Sequence, residues 1–177
     1  MQFDFSRNHF ELFGLTPGFA LDSAALEQAY RALQSQVHPD KFTHLSQAEQ
    51  RASMQWSTRV NEAYQVLKSP LNRAQYLLQL QGIDALAERD TAMPGAFLMQ
   101  QMEWREGIQA AREAADVTAL QTLETELAGT AQQLRLGLAR QLDEQHDYPG
   151  AAQSVRKLKF MDKLVAEIHD TYEALET

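Results

Sequence analysis

A chain of 177 residues is long enough for one large domain or two small ones. Its 44% apolar and 23% charged residues fit a soluble globular protein, and a net charge of −8 argues against a general nucleic-acid binder. The absence of cysteine excludes disulfides, thiol catalysis and thiolate metal sites; no apolar run approaches the roughly 18 residues that span a bilayer, and Met1 to Asn8 carry neither a signal peptide nor an Arg-rich transit segment, so a cytoplasmic location is expected.

Phe3, Phe5, Phe10, Leu12, Phe13 and Leu15 form a dense apolar cluster that closes at Gly14 and Pro17. It predicts a short helix from about Asn8 to Phe13 with Gly14 as its stop. From Asp22 the pattern is helical: Leu26, Tyr30, Leu33 and Val37 make one apolar stripe, and Asp22 or Ser23 can cap the first turn. This helix must end at His38, because Pro39 removes a donor and pushes the residue before it out of the α region. Ser46 and Glu49 form a capping box that opens the next helix, whose stripe is Ala52, Trp56, Val60, Ala63 and Leu67. A short polar connection between two helices of similar length predicts an antiparallel hairpin. Ser69 and Pro70 start a further helix that runs through Tyr76, Leu77, Leu78 and Leu80 to Gly82. Arg73 is expected at the surface or in an interhelical ion pair.

The tip of the hairpin holds His38, Pro39, Asp40 and Lys41. A turn needs nothing so elaborate; Gly, Asn or Ser would serve. The tetrapeptide therefore reads as a stiff polar loop that presents a carboxylate. His38, His44 and Asp40 are possible metal ligands, but no fixed helical spacing groups them. A His38/Asp40 acid–base pair, as in a small metal-dependent hydrolase, lacks a nearby nucleophile or phosphate-binding glycine loop.

The helical hairpin with His38-Pro39-Asp40 at its tip, followed by Asn61-Glu62-Ala63-Tyr64 and by Ser69-Pro70 with Arg73, Ala74 and Tyr76, resembles a J domain. J domains stimulate ATP hydrolysis by DnaK-class chaperones. The resemblance implies that Asp40 is the key acid, that Pro39 holds the turn and that His38 orients it. Many J domains carry several basic residues on the helix before the tripeptide. Here that helix offers mainly Arg31, with Lys41 just beyond the tripeptide, and Arg51 and Arg59 as other steering candidates.

Periodicity fades from Ile83 to Gly95, where Asp90, Thr91, Pro94 and Gly95 mark a connection. Three helices are predicted beyond it. The first runs from about Ala96 to Ala115. The second is capped by Asp116 and continues to about Glu144. Asp147, Tyr148, Pro149 and Gly150 break the pattern, and the third runs from about Ala151 to Glu176. The second helix repeats Val117, Leu120, Leu123, Leu127, Leu134 and Leu138; the third repeats Val155, Leu158, Val165, Ile168, Tyr172 and Leu175. Short connections imply an antiparallel bundle. The expected fold class is thus all-α, with an N-terminal hairpin domain over 1–82, a linker over 83–95 and a C-terminal three-helix bundle over 96–177.

The residues left over by these stripes are the informative ones. On the first bundle helix, Phe97, Trp104, Ile108 and Ala111 share a core face at about 100° per residue. Leu98, Met99 and Met102 fall off it, beside Glu103 and Glu106, and suggest an adaptable partner surface. On the third helix Phe160 points away from Leu158 and Val165, among Arg156, Lys157, Lys159 and Lys163.

The segments from Phe97 to Glu106 and from Val155 to Leu164 resemble the HscB family, J-type co-chaperones of bacterial iron–sulfur cluster assembly. The likeness extends over nearly the whole chain. It implies that the bundle binds the cluster scaffold IscU through Leu98, Met99, Met102, Glu103, Glu106 and Phe160. It implies also that the J domain engages the chaperone HscA through His38, Pro39, Asp40, Lys41 and Arg31. The family's acidic face extends a further turn in some members, where this chain has Ala110. An adaptor without catalysis, metal or cofactor of its own is expected; a J-domain adaptor of the same build serving a different client is the alternative.

Overall fold

The computed structural model describes residues 4–37, 46–87 and 93–176, and every regular element in them is helical. The chain divides into two compact units, 1–77 and 78–177.

In the first unit, α1 (His9–Leu12) is short because both ends are closed locally. Asn8 and Glu11 form a reciprocal capping box, and Gly14 at φ 66° lets the Leu15 N–H reach back to the Phe10 carbonyl. α2 (Ser23–Val37) is capped by Asp22, whose carboxylate accepts from the Ala24 and Ala25 N–H groups. α3 (Gln47–Lys68) opens on the expected Ser46–Glu49 capping box. α2 packs along α3 in antiparallel register: the Tyr30 ring stacks on Tyr64 at 4.0 Å and its hydroxyl donates to Asn61. Phe10, Leu12 and Phe13 of the N-terminal cluster pack with Leu26, Trp56, Val60, Ala63 and Leu67 to make the core.

α4 (Pro70–Leu80) starts at Pro70 and stops where Gly82, at φ 77°, allows Ile83 to close on Leu78. Arg73 on this helix overturns its sequence expectation. It is buried, donating from Nε to the Phe19 carbonyl at 2.9 Å and from Nη1 to the Leu67 carbonyl at 2.6 Å, with its guanidinium 5.1 Å from the Phe19 ring. The carbonyl at the end of α3 and one in the loop before α2 are orphan acceptors, and a guanidinium fork can satisfy both at once.

The second unit is a three-helix bundle in which α5 (Gly95–Glu113), α6 (Val117–Ala139) and α7 (Tyr148–Glu176) each pack on the other two. Leu120, Leu127 and Leu138 of α6 meet Val155, Leu158, Met161, Leu164 and Ile168 of α7, all essentially inaccessible. Three details differ from the sequence reading. Val117 is 43% exposed, because it is the first residue of α6 and lies beyond the end of the packed stripe. Met161 and Leu164, not Val165, occupy the centre of the α7 stripe: a helix touching two neighbours buries a face wider than one heptad seam. Tyr148, Pro149 and Gly150 begin α7 instead of breaking the chain, since the Asp147 carboxylate caps them through the Gly150 N–H at 3.0 Å. A Cβ at 150 would lie 2.1 Å from that carboxylate, so a larger residue would have to displace the capping side chain.

α6 also does not end as a plain α-helix. It runs on into a π-helical turn, Arg140–Glu144, closed by the Gln145 N–H to the Arg140 carbonyl, before His146 turns at φ 52°. Before α5, Ala85 is buried within this second unit and its carbonyl accepts from Arg156 of α7. The stretch 84–87 is therefore packed structure, although its sequence shows no period.

Candidate functional site

Two sets of residues carry the functional expectation, one in each unit. In the first, α2 ends at Val37 and α3 begins at Gln47. The expectations for His38, Pro39, Asp40 and Lys41, and for His44, lie outside the described residues. Arg31 is on α2 and well exposed, paired with Glu27 one turn earlier. Such exposed i,i+4 pairs are worth only about 0.3–0.5 kcal/mol, so the guanidinium can exchange this acid for one on a partner. Arg51 is exposed on α3, whereas Arg59 donates to the Arg7 carbonyl at 2.6 Å and is committed to the fold.

In the second unit the helical repeat of α5 sorts its residues into rows. Phe97, Trp104, Ile108 and Ala111 are buried, as the sequence predicts. Turning about 100° per residue, Gln101 and Arg105 come next, on the edge facing α7. Leu98, Met102 and Glu106 form the row beyond it, and Met99 and Glu103 point outward. The row is open: Leu98, Met99 and Met102 are 46%, 66% and 62% exposed, and Glu103 and Glu106 are exposed too. Three large apolar side chains in two turns of one helix make a contiguous exposed apolar patch, unlike singly scattered surface residues.

Phe160 of α7 is half-buried at the margin of this surface. It meets Phe97 edge-to-face at 6.2 Å, and the Arg105 guanidinium lies 5.2 Å from its ring centre on the other side. Lys157 in turn covers Phe97 at 5.3 Å, and Phe97 meets Trp104 edge-to-face at 6.0 Å. Trp104 is fixed by its indole N–H donating to Glu126 of α6 at 2.9 Å. The result is an alternating stack across α5 and α7: Arg105, Phe160, Phe97, Lys157. It sets Phe160 in one place while leaving part of the ring to solvent. Each cation–π contact contributes about 0.5–1 kcal/mol at such an exposed site.

Leu98, Met102 and Glu106 form one exposed row on α5, Phe160 of α7 lies at its margin, and Met99 and Glu103 adjoin it. Sequence reasoning missed Arg105 and Gln101, which join the α5 row to Phe160. Their positions four and eight residues after Phe97 were the available signal. Charge on this surface is divided, with Glu103 and Glu106 on α5 and with Arg105, Lys157, Lys159 and Lys163 around Phe160. Among the described residues no three His, Asp or Glu side chains gather where a metal ion could sit, and no helix is long and apolar enough to cross a membrane.

Comparison with known proteins covers both units. Residues 8–76 match the family model of the DnaJ domain, and residues 93–169 that of the HSCB C-terminal oligomerisation domain. The chain is 51% identical over 177 residues to a co-chaperone protein HscB homolog of Aromatoleum aromaticum, covering all of both chains. Among solved structures it is similar to the chaperone HscB of Vibrio cholerae, at 39% identity and TM-score 0.83 over 96% of this chain and 99% of that one. It is similar also to the human co-chaperone protein HscB, at 32% identity and TM-score 0.86 over 94% of this chain and 82% of the other.

Proposed function

The chain belongs to the HscB family of J-domain co-chaperones, and from that premise we propose that it delivers the iron–sulfur scaffold IscU to the DnaK-class chaperone HscA and stimulates its ATPase. The working parts are a J domain over 1–82 and a client-binding bundle over 96–177, joined by the connection 83–95, of which the stretch 84–87 is packed against α7. The protein has no catalysis and no cofactor of its own, and acts in the cytoplasm.

The observation that carries this reading is the open row of Leu98, Met99 and Met102 beside the fixed, half-buried Phe160. Methionines adapt to an irregular partner, while a clamped aromatic ring gives it a rigid anchor. Glu103 and Glu106 select a partner with basic groups opposite them. The J domain contributes Asp40, the carboxylate of the His-Pro-Asp motif, supported by Pro39 and His38, with Lys41 and Arg31 adding attraction to an acidic chaperone surface. Proline fixes its own φ and restricts the residue before it, so a carboxylate directly after Pro39 has less freedom to lose on docking. Joining the two sites in one chain raises the local concentration of client at the chaperone, so two modest affinities act together.

The test exchanges Leu98, Met102 and Phe160 for alanine and measures IscU binding by calorimetry. Loss of binding with unchanged helicity is expected. Retention of full affinity would transfer the client role to another surface, and absence of IscU binding by the unaltered protein would point to a J-domain adaptor for a different client. Asp40→Asn is expected to abolish HscA stimulation and leave IscU binding intact, since removing one member of a desolvated charge pair costs about 2–5 kcal/mol.

A further inference from the structure

The charge of the bundle is unevenly placed. The protein is acidic overall, yet residues 156–163 of α7 hold Arg156, Lys157, Lys159 and Lys163 against a single acid, Asp162. Asp162 lines a groove with Ala131 and His169, and among the described residues it makes no ion pair with any of the four. Lys157 is occupied over Phe97, and Arg156 donates to the Ala85 carbonyl, tying the 84–87 turn to α7. Lys159 and Lys163 are exposed and, among the described residues, face no acid within ion-pair distance.

Beside Phe160, and next to the row on α5, these two lysines rim a cleft of about 260 Å³. Its walls are apolar, made by Leu86, Met93 and Phe160, with Gln101 of α5 as a hydrogen-bonding group. Arg105 adds a third exposed cation at the Phe160 end. Its guanidinium is held over the ring, which orients its donors in advance for a carboxylate, and it makes no ion pair among the described residues. A cation-rimmed, apolar-walled cleft has the chemistry to receive a short acidic segment that carries an apolar side chain.

We infer that this cleft is the second half of the client-binding surface and takes an acidic segment of the client, an apolar side chain entering between Leu86, Met93 and Phe160 and carboxylates meeting Lys159, Lys163 and Arg105. This rests on the client-binding reading above and gives the surface a polarity. The α5 end, with Glu103 and Glu106, faces basic groups of the client; the α7 end faces acidic ones. Such an arrangement fixes which way round the client docks, because the reversed pose sets like charges together.

The test uses the full chain. A peptide Glu-Asp-Leu-Phe-Asp-Glu is titrated into isotope-labelled protein, alongside the same peptide with its acids replaced by amides and alongside inorganic phosphate. The acidic peptide is expected to move the amide resonances of Leu86, Met93, Lys159 and Lys163, and the amide peptide to bind about tenfold more weakly or worse. Lys159→Glu with Lys163→Glu should remove the response; Lys163→Gln alone serves as the milder variant if the double reversal lowers helicity. No response, an equal response to the amide peptide, or the same shifts with phosphate alone would overturn the proposal. In a second arm, IscU affinity should fall about tenfold in the double-lysine variant, the size expected for reversing two partly screened charges. Equal binding of IscU by wild type and this variant would overturn the proposal while leaving the client reading in place. Failure of IscU to bind even the unaltered protein would remove that reading, and the peptide titration alone would then decide the cleft.

Discussion

The two units reach order by different means. The first has a core rich in aromatic rings, and it depends on long polar reaches: Arg73 to two backbone carbonyls, the His9 N–H to the Tyr76 hydroxyl, Tyr30 to Asn61. The second packs three helices on a mainly aliphatic seam, and its polar ties combine caps at Asp116 and Asp147 with reaches between elements, Trp104 to Glu126 and Arg156 to the Ala85 carbonyl. A small unit with little apolar area needs specific polar fasteners to define one structure. In the bundle the apolar seam takes up one side of each helix, which leaves whole rows of side chains to spare for binding. That contrast explains why the proposed client site is spread over helix faces, whereas the proposed chaperone site is a single short motif between two helices.

Removing a fastener should separate the units most sharply. Arg73→Met strands two buried carbonyls and is expected to destabilise the first unit by about 2–4 kcal/mol, while helical signal from the bundle persists. A two-probe melt, following Trp56 and Trp104 through single-tryptophan variants, checks this; equal loss in both units would contradict the division.

In the bundle, the buried and open rows of α5 and α6 should respond in opposite senses. Leu120→Ala is expected to cost about 2–5 kcal/mol. Met99→Ala and Met102→Ala should stay within about 0.5 kcal/mol, as exposed substitutions do, and should act on binding instead. Urea titration measures all three.

A smaller effect lies at Ala115, which closes α5 at φ 50° with the Asp116 N–H returned to the Ala111 carbonyl. A non-glycine residue in the left-handed region carries a penalty of about 1–2 kcal/mol. Ala115→Gly should therefore stabilise the bundle by about 1 kcal/mol after the added unfolded-state freedom is subtracted, and leave the first unit unchanged.

The smallest effect sharpens the comparison through pH. Burial holds the His9 imidazole below its ordinary 6.5, nearby Arg59 adds to the shift, and Glu62 opposes it. The ring stacks on Tyr76 at 4.1 Å, and its buried Nδ1 makes no hydrogen bond. A depressed value means that the unfolded unit binds the proton more readily, so the contribution of His9 is present above 6.5 and is lost as pH falls through the folded value. The stability difference between wild type and His9→Gln should shrink on acidification, in the first unit alone.

What the sequence made legible was local or periodic. The Ser46–Glu49 box, the stop at Gly82, the buried face of α5 and the open row at Leu98 and Met102 each follow from spacing along a few turns. What it hid depends on distant partners. Arg73 looks like a surface cation until the Phe19 carbonyl, 54 residues away in the chain, is placed beside it. Ala85 shows no period, yet it is buried and its carbonyl accepts from Arg156, 71 residues away in the chain. The π-helical turn at Arg140–Glu144 changes the hydrogen-bond ladder by one residue, which leaves no mark on apolar spacing. Phe160 was recognisable as an outlier from its stripe, but its clamp by Arg105 and Phe97 emerges only when α5 and α7 are set side by side.

In the proposed function, stimulation of the chaperone and capture of the client are carried by separate residues of one chain. The most direct measurement is ATP turnover by HscA with this protein and IscU, added singly and together, for wild type, Asp40→Asn, and the Leu98→Ala, Met102→Ala, Phe160→Ala combination. Asp40→Asn is expected to lose all stimulation, whereas the triple variant should keep the stimulation it gives alone and lose the extra produced by IscU. Loss of both activities in both variants, or full joint stimulation in the triple variant, would contradict that separation.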